Sequence, residues 1–142
     1  TRVYAVDVGY GQFEWRLRQD PRVVLMERTN VRYLEPGAIA EPIDLIVIDV
    51  SFISLTLVLP AVVSHLAATG SIITLIKPQF EVGKGLVGRG GIVRDDALRE
   101  STVEKVVSCA VQLGLQLVDR MDSPIEGRKG NREFLAWFQR KA

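Results

Sequence analysis

The sequence predicts an α/β domain built on a mostly parallel, doubly wound sheet, and three observations carry that prediction. Apolar runs of strand length, Leu45 to Ile48 and Ile72 to Ile76, offer almost no polar face, as expected of strands covered on both sides. They alternate with segments whose apolar residues recur every three or four positions, the spacing of amphipathic helices. Polar residues Asp7, Asn30, Asp49 and Lys77 fall at or near the carboxyl ends of the strand-like runs. In open α/β sheets that edge is where ligands bind.

Residues 3 to 8 read as a buried strand ending at Asp7, and Gly9-Tyr-Gly11 as a turn before a short helix through Phe13, Trp15 and Leu17. Asp20-Pro21 ends that helix. Residues 23 to 27 form a second strand, with Arg28-Thr-Asn30 as the polar loop beyond it. A connection containing Pro36, Gly37 and Pro42 leads to a central strand at 44 to 50. A helix of about fifteen residues is expected next, disturbed by Pro60 and stopped by Gly70. Residues 71 to 76 are a further strand, ending in Lys77-Pro78. The stretch 83 to 91, with five glycines and two cations, predicts a mobile loop, because fixing glycine in a regular element is entropically costly. Asp95 and Asp96 offer caps to a helix with apolar Leu98, Val103, Val106, Val107, Ala110 and Leu113, stopped at Gly114. Residues 115 to 119 and 133 to 138 complete the sheet as a hairpin-like pair, and no internal repeat is present.

A chain of 142 residues, 47% hydrophobic and 25% charged, suits one soluble domain. Its 18 basic and 17 acidic residues give a formal charge of +1, so attraction to a polyanion has to come from local patches. The single cysteine, Cys109, excludes an internal disulfide and reads as a buried thiol in a reducing compartment, which suits a cytoplasmic protein. The longest apolar stretch, 52 to 68, is interrupted by Ser, Thr, Pro60 and His65, so no membrane span is expected. Thr1 runs directly into a strand-like segment, and the chain is expected to start inside a domain.

Lys77 is the sharpest chemical candidate. Held by Pro78 after an apolar strand, it would be partly withdrawn from water, which favours the neutral amine able to act as a base. Asp49 on the neighbouring strand could pair with it or hold a substrate hydroxyl, and Glu133, at the head of the last strand, could be a salt-bridge partner or a further member of the site. Each strand-end residue taken alone reads equally well as a solvated loop residue or a cap. The turn Gly9-Tyr-Gly11 departs from the dinucleotide fingerprint, having Glu14 in place of the third glycine and Asp7 before it. A carboxylate there suits the two hydroxyls of a ribose without phosphate, as in S-adenosylmethionine. The glycine-rich loop lacks the Ser or Thr of a phosphate-cradling motif, but Lys84, Arg89 and Arg94 could close on an RNA backbone; a solvated connection is the alternative. His65 is expected on a helix surface, Cys109 in the core, and no cluster of metal ligands is present.

The blocks Val6-Asp-Val-Gly-Tyr-Gly-Gln12, Glu27-Arg-Thr-Asn30, Asp44-Leu-Ile-Val-Ile-Asp-Val-Ser-Phe-Ile-Ser54, Ile76-Lys-Pro-Gln-Phe-Glu81, Gly90-Gly-Ile-Val-Arg-Asp95 and Gly130-Asn-x-Glu133-Phe closely resemble the hemolysin A type of FtsJ-like RNA methyltransferases. The resemblance covers nearly the whole chain. It implies a Rossmann-like S-adenosylmethionine-dependent methyltransferase fold and ribose 2′-O-methylation of RNA, with ribosomal RNA or ribosomal subunits as partners and room for a homodimer. It implies no metal. Asp49, Lys77 and Glu133 match the last three members of the family's Lys-Asp-Lys-Glu tetrad, with Lys77 helping to remove the 2′-hydroxyl proton while Asp49 and Glu133 tune it. Asp7, Val8, Asn30 and Val31, together with Asp49, would border the cofactor. The family's first tetrad lysine, its S4 RNA-binding domain, its glycine-rich cofactor loop and its first strand are expected upstream of Thr1. Without that strand a gap of roughly 10 Å would separate residues 3 to 8 from 45 to 50, and the chain alone is expected to bind cofactor weakly. A non-catalytic RNA-binding module is the competing expectation. Pore formation, the reading the hemolysin name invites, finds no cationic amphipathic segment in its favour.

Overall fold

The computed structural model describes all 142 residues. Strands β1 (Val3–Val6) and β2 (Val23–Met26) form a parallel pair, and β3 (Ile43–Ile48), β4 (Leu66–Ile76), β5 (Leu115–Asp122) and β6 (Phe134–Arg140) form a second sheet in the order β3-β4-β6-β5. β3 and β4 are parallel and β6 is antiparallel to both β4 and β5, so three of these four strands share one direction. The expected closing pair is present, but its second member inserts between β4 and β5. That reversal brings the amino end of β6 to the edge where β3 and β4 finish.

No ladder joins β1 to β3, in keeping with the expected interruption of the strand order. The two units meet through side chains instead. Tyr4 Oη donates to Glu41 Oε1 at 2.6 Å, Arg2 pairs with the same carboxylate at 3.1 Å, and Val31 packs on the main core.

Helices α2 (Leu55–Val63) and α4 (Asp96–Gln112) cover one face of the larger sheet and touch each other. Leu55, Val58, Leu59 and Val62 of α2 meet Val103, Val106 and Ala110 of α4 over Ile72, Ile76 and Phe138. The expected covering of β3 on both sides is corrected here. Ile46 and Ile48 turn toward the core, whereas Leu45 and Val47, on the other face by strand alternation, are 55% and 69% exposed. β3 is also an edge strand of its sheet.

The helix expected to reach Gly70 stops at Val63, and β4 already begins at Leu66. Pro60 has no N–H to give to the carbonyl of Thr56, four residues back, and the Cys109 thiol points at that oxygen from 4.0 Å. Gly70 is no helix stop. Pairing jumps from Ile43–Leu66 to Leu45–Ser71, so β4 bulges across 67 to 70. A Cβ on Gly70 would lie 2.6 Å from Leu66 Cδ1 and 2.9 Å from the Ile43 carbonyl oxygen, and glycine is there for close approach of the two strands. His65, expected on a helix surface, is buried at the α2–β4 turn, and its Nε2 has no partner.

α1 (Trp15–Gln19) and α4 follow their local signals, whereas the stretch 83 to 91, expected to hold no regular element, forms short turns. α1 ends at Asp20, and α4 starts where Asp95 Oδ1 accepts the Leu98 N–H at 3.1 Å and stops before Gly114, whose φ of 84° only glycine adopts easily. Residues 83 to 91 hold two single turns of 3-10 helix, Lys84–Leu86 and Arg89–Gly91. No helix is long and apolar enough to cross a membrane.

Candidate active site at the strand edge

Lys77 closes β4, and the residue before a proline is restricted to extended backbone; its φ and ψ are −112° and 98°, with Pro78 opening the short helix α3 (Pro78–Glu81). The constraint aims the side chain across to the end of the parallel neighbour β3. Lys77 Nζ lies 2.6 Å from Asp49 Oδ1 and donates to Ser51 Oγ at 3.2 Å. The lysine side chain is 14% exposed and the aspartate 62%, so the amine is largely withdrawn from water while the carboxylate faces it.

Glu133 enters one position beyond the paired residues Ile76 and Phe134, which puts its backbone beside that of Lys77. Its buried carboxylate is held by Gln79, whose Nε2 donates to Oε2 at 2.9 Å. Gly127 packs flat against it, since a Cβ there would fall 2.0 Å from Oε2. The structure therefore joins Lys77 directly to Asp49 and Ser51, and ties Glu133 to Gln79 rather than to Lys77. The Gln79 Oε1 atom is buried without a partner.

A buried carboxylate, Glu81, braces the loop that follows Asp49. It accepts from Ser54 Oγ at 2.6 Å and from the Leu55 N–H at 2.9 Å, and pairs with Lys105 at 3.2 Å. Between these anchors Phe52 takes a left-handed conformation, φ 64°, unusual for a residue with a side chain. Its ring is 81% exposed and rests on Phe80, with centroids 4.9 Å apart. Burial, and then the negative charge of Glu81, push the Cys109 thiol up from its ordinary range.

The candidate cofactor residues lie at the ends of β1 and β2. Asp7 is half-buried, and one of its oxygens accepts the Gly9 N–H at 3.2 Å. Asn30 spends its side-chain oxygen on the Arg32 N–H at 3.1 Å, capping a 3-10 turn that begins at Val31. Val8 is exposed and Val31 half-buried. Glu27 receives the Gly11 N–H at 3.1 Å and pairs with Arg18, which pins the turn after Asp7. Lys84, Arg89 and Arg94 are all exposed.

Three residues of the site carried no signal strong enough to assign them from sequence. Ser51 follows Asp49 by two and Gln79 follows Lys77 by two, but nothing local marks either as a partner. Asn131 reads as a turn residue, yet it is buried and bonded to two separate loops.

The model of the family described as FtsJ-like methyltransferase matches residues 1–140. A Mycobacterium tuberculosis protein named 16S/23S rRNA (cytidine-2′-O)-methyltransferase TlyA is 52% identical over 98% of this chain and 52% of its own length. The protein named hemolysin A of Brachyspira hyodysenteriae is 44% identical over 96% of the chain and 58% of its own length. The chain thus spans about half the length of the curated relatives it matches. A solved Streptococcus thermophilus structure carrying a hemolysin label superposes with a TM-score of 0.94 at 45% identity, covering 99% of this chain and 51% of that one. The N-methyltransferase NodS of Bradyrhizobium japonicum, solved with S-adenosyl-L-homocysteine, shares the fold at a TM-score of 0.63 and 19% identity, over 99% of this chain and 67% of that one. Sequence blocks and these matches agree, and the chain belongs to the FtsJ-like methyltransferase family.

Proposed function

We propose that this chain carries the methyl-transfer site of an S-adenosylmethionine-dependent RNA ribose 2′-O-methyltransferase acting on ribosomal RNA, in the cytoplasm where ribosomes are found. The observation that carries the reading is the contact of Lys77 Nζ with Asp49 Oδ1 at 2.6 Å, in a lysine mostly removed from water at the carboxyl edge of the sheet. The name of the Mycobacterium tuberculosis relative supplies the substrate class.

S-adenosylmethionine, when bound, supplies a methyl group on a positively charged sulfur that leaves as a neutral thioether. Lys77 Nζ takes up the proton of the ribose 2′-hydroxyl as the oxygen forms its bond to the methyl carbon. Asp49 steadies the ammonium so formed, with Ser51 as a second acceptor for its N–H groups. Glu133, held by Gln79, stands at the strand position beside Lys77. Because the proton acceptor is pre-aimed by Pro78 and by the partner strand, little ordering remains to be done when substrate arrives.

The residues at the ends of β1 and β2 fit the nucleoside part of that methyl donor. Asp7 keeps a carboxylate oxygen that no protein group occupies, suited to a ribose diol, and Asn30 keeps its amide nitrogen. Val8 and Val31 flank these groups with apolar surface, and Asp49 stays largely exposed with one oxygen on Lys77.

Transfer of labelled methyl groups to ribosomal RNA tests the proposal in the protein that holds this chain. Lys77→Ala is expected to remove methyl transfer, a loss of at least about 100-fold for an absent proton acceptor, with donor affinity by calorimetry close to that of the parent. Full activity in Lys77→Ala would refute it.

A further inference from the structure

Charge in this chain is sorted by place. Residues 83–94 hold Lys84, Arg89 and Arg94 and no acid, and residues 127–132 hold Arg128, Lys129 and Arg132 and no acid. The remaining 12 basic and 17 acidic residues give the rest of the chain a formal charge of −5. A net charge of +1 therefore conceals two acid-free cationic loops on an otherwise acidic body. All six side chains lie toward solvent, and none takes part in an ion pair within the protein.

Asn131 makes one surface of the two loops. Its side chain is buried, at 3% exposure; Oδ1 accepts the Val93 N–H at 3.1 Å, and Nδ2 donates to the carbonyls of Gly91 at 2.9 Å and Arg128 at 3.2 Å. Its carbonyl accepts the Gly127 N–H at 2.7 Å, closing the second loop on itself. Both loops touch the candidate site. The first leaves α3 just after Lys77 and Gln79, and the second packs Gly127 on Glu133 and ends at Arg132, the residue before it.

We infer that the two loops, stapled by Asn131, form a single phosphate-binding surface that holds the RNA backbone beside the methylated nucleotide, with Arg128, Lys129 and Arg132 as contacts equal to those of the first loop. The inference rests on the RNA substrate proposed above. Neither loop contains an aromatic residue, so bases find no stacking platform on them. Cations and exposed glycine amides grip phosphate without reading sequence. This surface positions the substrate strand; the choice of nucleotide is made elsewhere.

Fluorescence polarisation of two unrelated fluorescein-labelled single-stranded 20-mer RNAs, across a potassium chloride series, tests the surface. Arg128→Ala/Lys129→Ala is expected to weaken both RNAs by the same factor. It should also flatten the slope of log K against log[salt] by about 1.4, at roughly 0.7 for each phosphate that is no longer neutralised. Neither side chain is part of the core, and an unchanged circular-dichroism melt certifies the fold. Arg2→Ala/Arg22→Ala removes the same charge at the opposite strand ends and is expected to leave the slope unchanged. Parent protein that binds RNA while Arg128→Ala/Lys129→Ala keeps the full slope overturns the surface and leaves the RNA reading intact; an equal loss in Arg2→Ala/Arg22→Ala also overturns it, as a mere net-charge effect. Parent protein with no RNA affinity at low salt overturns both.

Discussion

Gln79 and Glu133, 54 positions apart in sequence, meet in one hydrogen bond of 2.9 Å, on a carboxylate that Gly127 covers from the other side. Gly127 has an ordinary φ of −74°, so glycine is required there for space and not for backbone freedom. Gly127→Ala is expected to destabilise the protein by about 1–3 kcal/mol through overpacking against the carboxylate. Adding Glu133→Ala should recover part of that loss, because the clashing group is gone. Urea denaturation of the two single variants and the double variant measures the coupling, and strict additivity would contradict the proposed clash.

Gln79→Glu replaces the donor with a second carboxylate of the same shape. Two acids within hydrogen-bond reach cannot both ionise readily, so one of them has to hold its proton above the ordinary carboxylate range. A folded-state pKa raised in this way contributes stability at low pH that is lost as pH rises. Relative to the parent, this variant is expected to melt at a similar temperature near pH 4 and at a clearly lower one near pH 8. Parallel melting curves across that range would argue against the contact.

Glu81 is buried and satisfies Ser54 and the Leu55 N–H at the start of α2. Glu81→Ala leaves the Leu55 N–H without a protein acceptor, while Ser54 Oγ keeps Thr56 Oγ1 at 2.8 Å, a cost of about 1–3 kcal/mol for the one unsatisfied group. The damage should reach the site, because Ser51 and Phe52 lie on the same loop. Chemical denaturation together with methyl-transfer rate is the check; a variant as stable as the parent would show that the brace is dispensable.

The Cys109 thiol is held above its ordinary range by burial and by the charge of Glu81. A thiol whose folded pKa exceeds its unfolded value contributes stability fully below the unfolded pKa, near about 8.5, and loses it as pH rises through the folded one. Iodoacetamide should label Cys109 slowly in the native protein at about pH 8.5 and rapidly in urea. Equal rates in the two states would contradict the shift.

Local rules made much of this architecture legible. The strand ends at Asp7, Asp49 and Lys77 follow from apolar runs broken by a charge, and α4 follows from the cap at Asp95 and the stop at Gly114. The errors have specific physical causes. A glycine after a helical pattern resembles a helix stop, and at Gly70 only the neighbouring strand shows that the residue serves close approach within a bulge. His65 reads as surface because burial depends on what packs over a turn, and periodicity carries no information about that.

By itself, the order of residues determined the alternation of strands and helices, the caps, the family blocks and the identities of the charged groups at one sheet edge. All of these are encoded within a few residues of one another, by backbone propensity and side-chain period. Tertiary structure alone decided which groups meet: Lys77 with Ser51 across 26 positions, Val93 with Asn131 across 38, and Glu133 with Gln79 instead of Lys77. Those contacts depend on the order β3-β4-β6-β5 and on the reversal of β6, which are set by how the sheet and helices bury their apolar faces together.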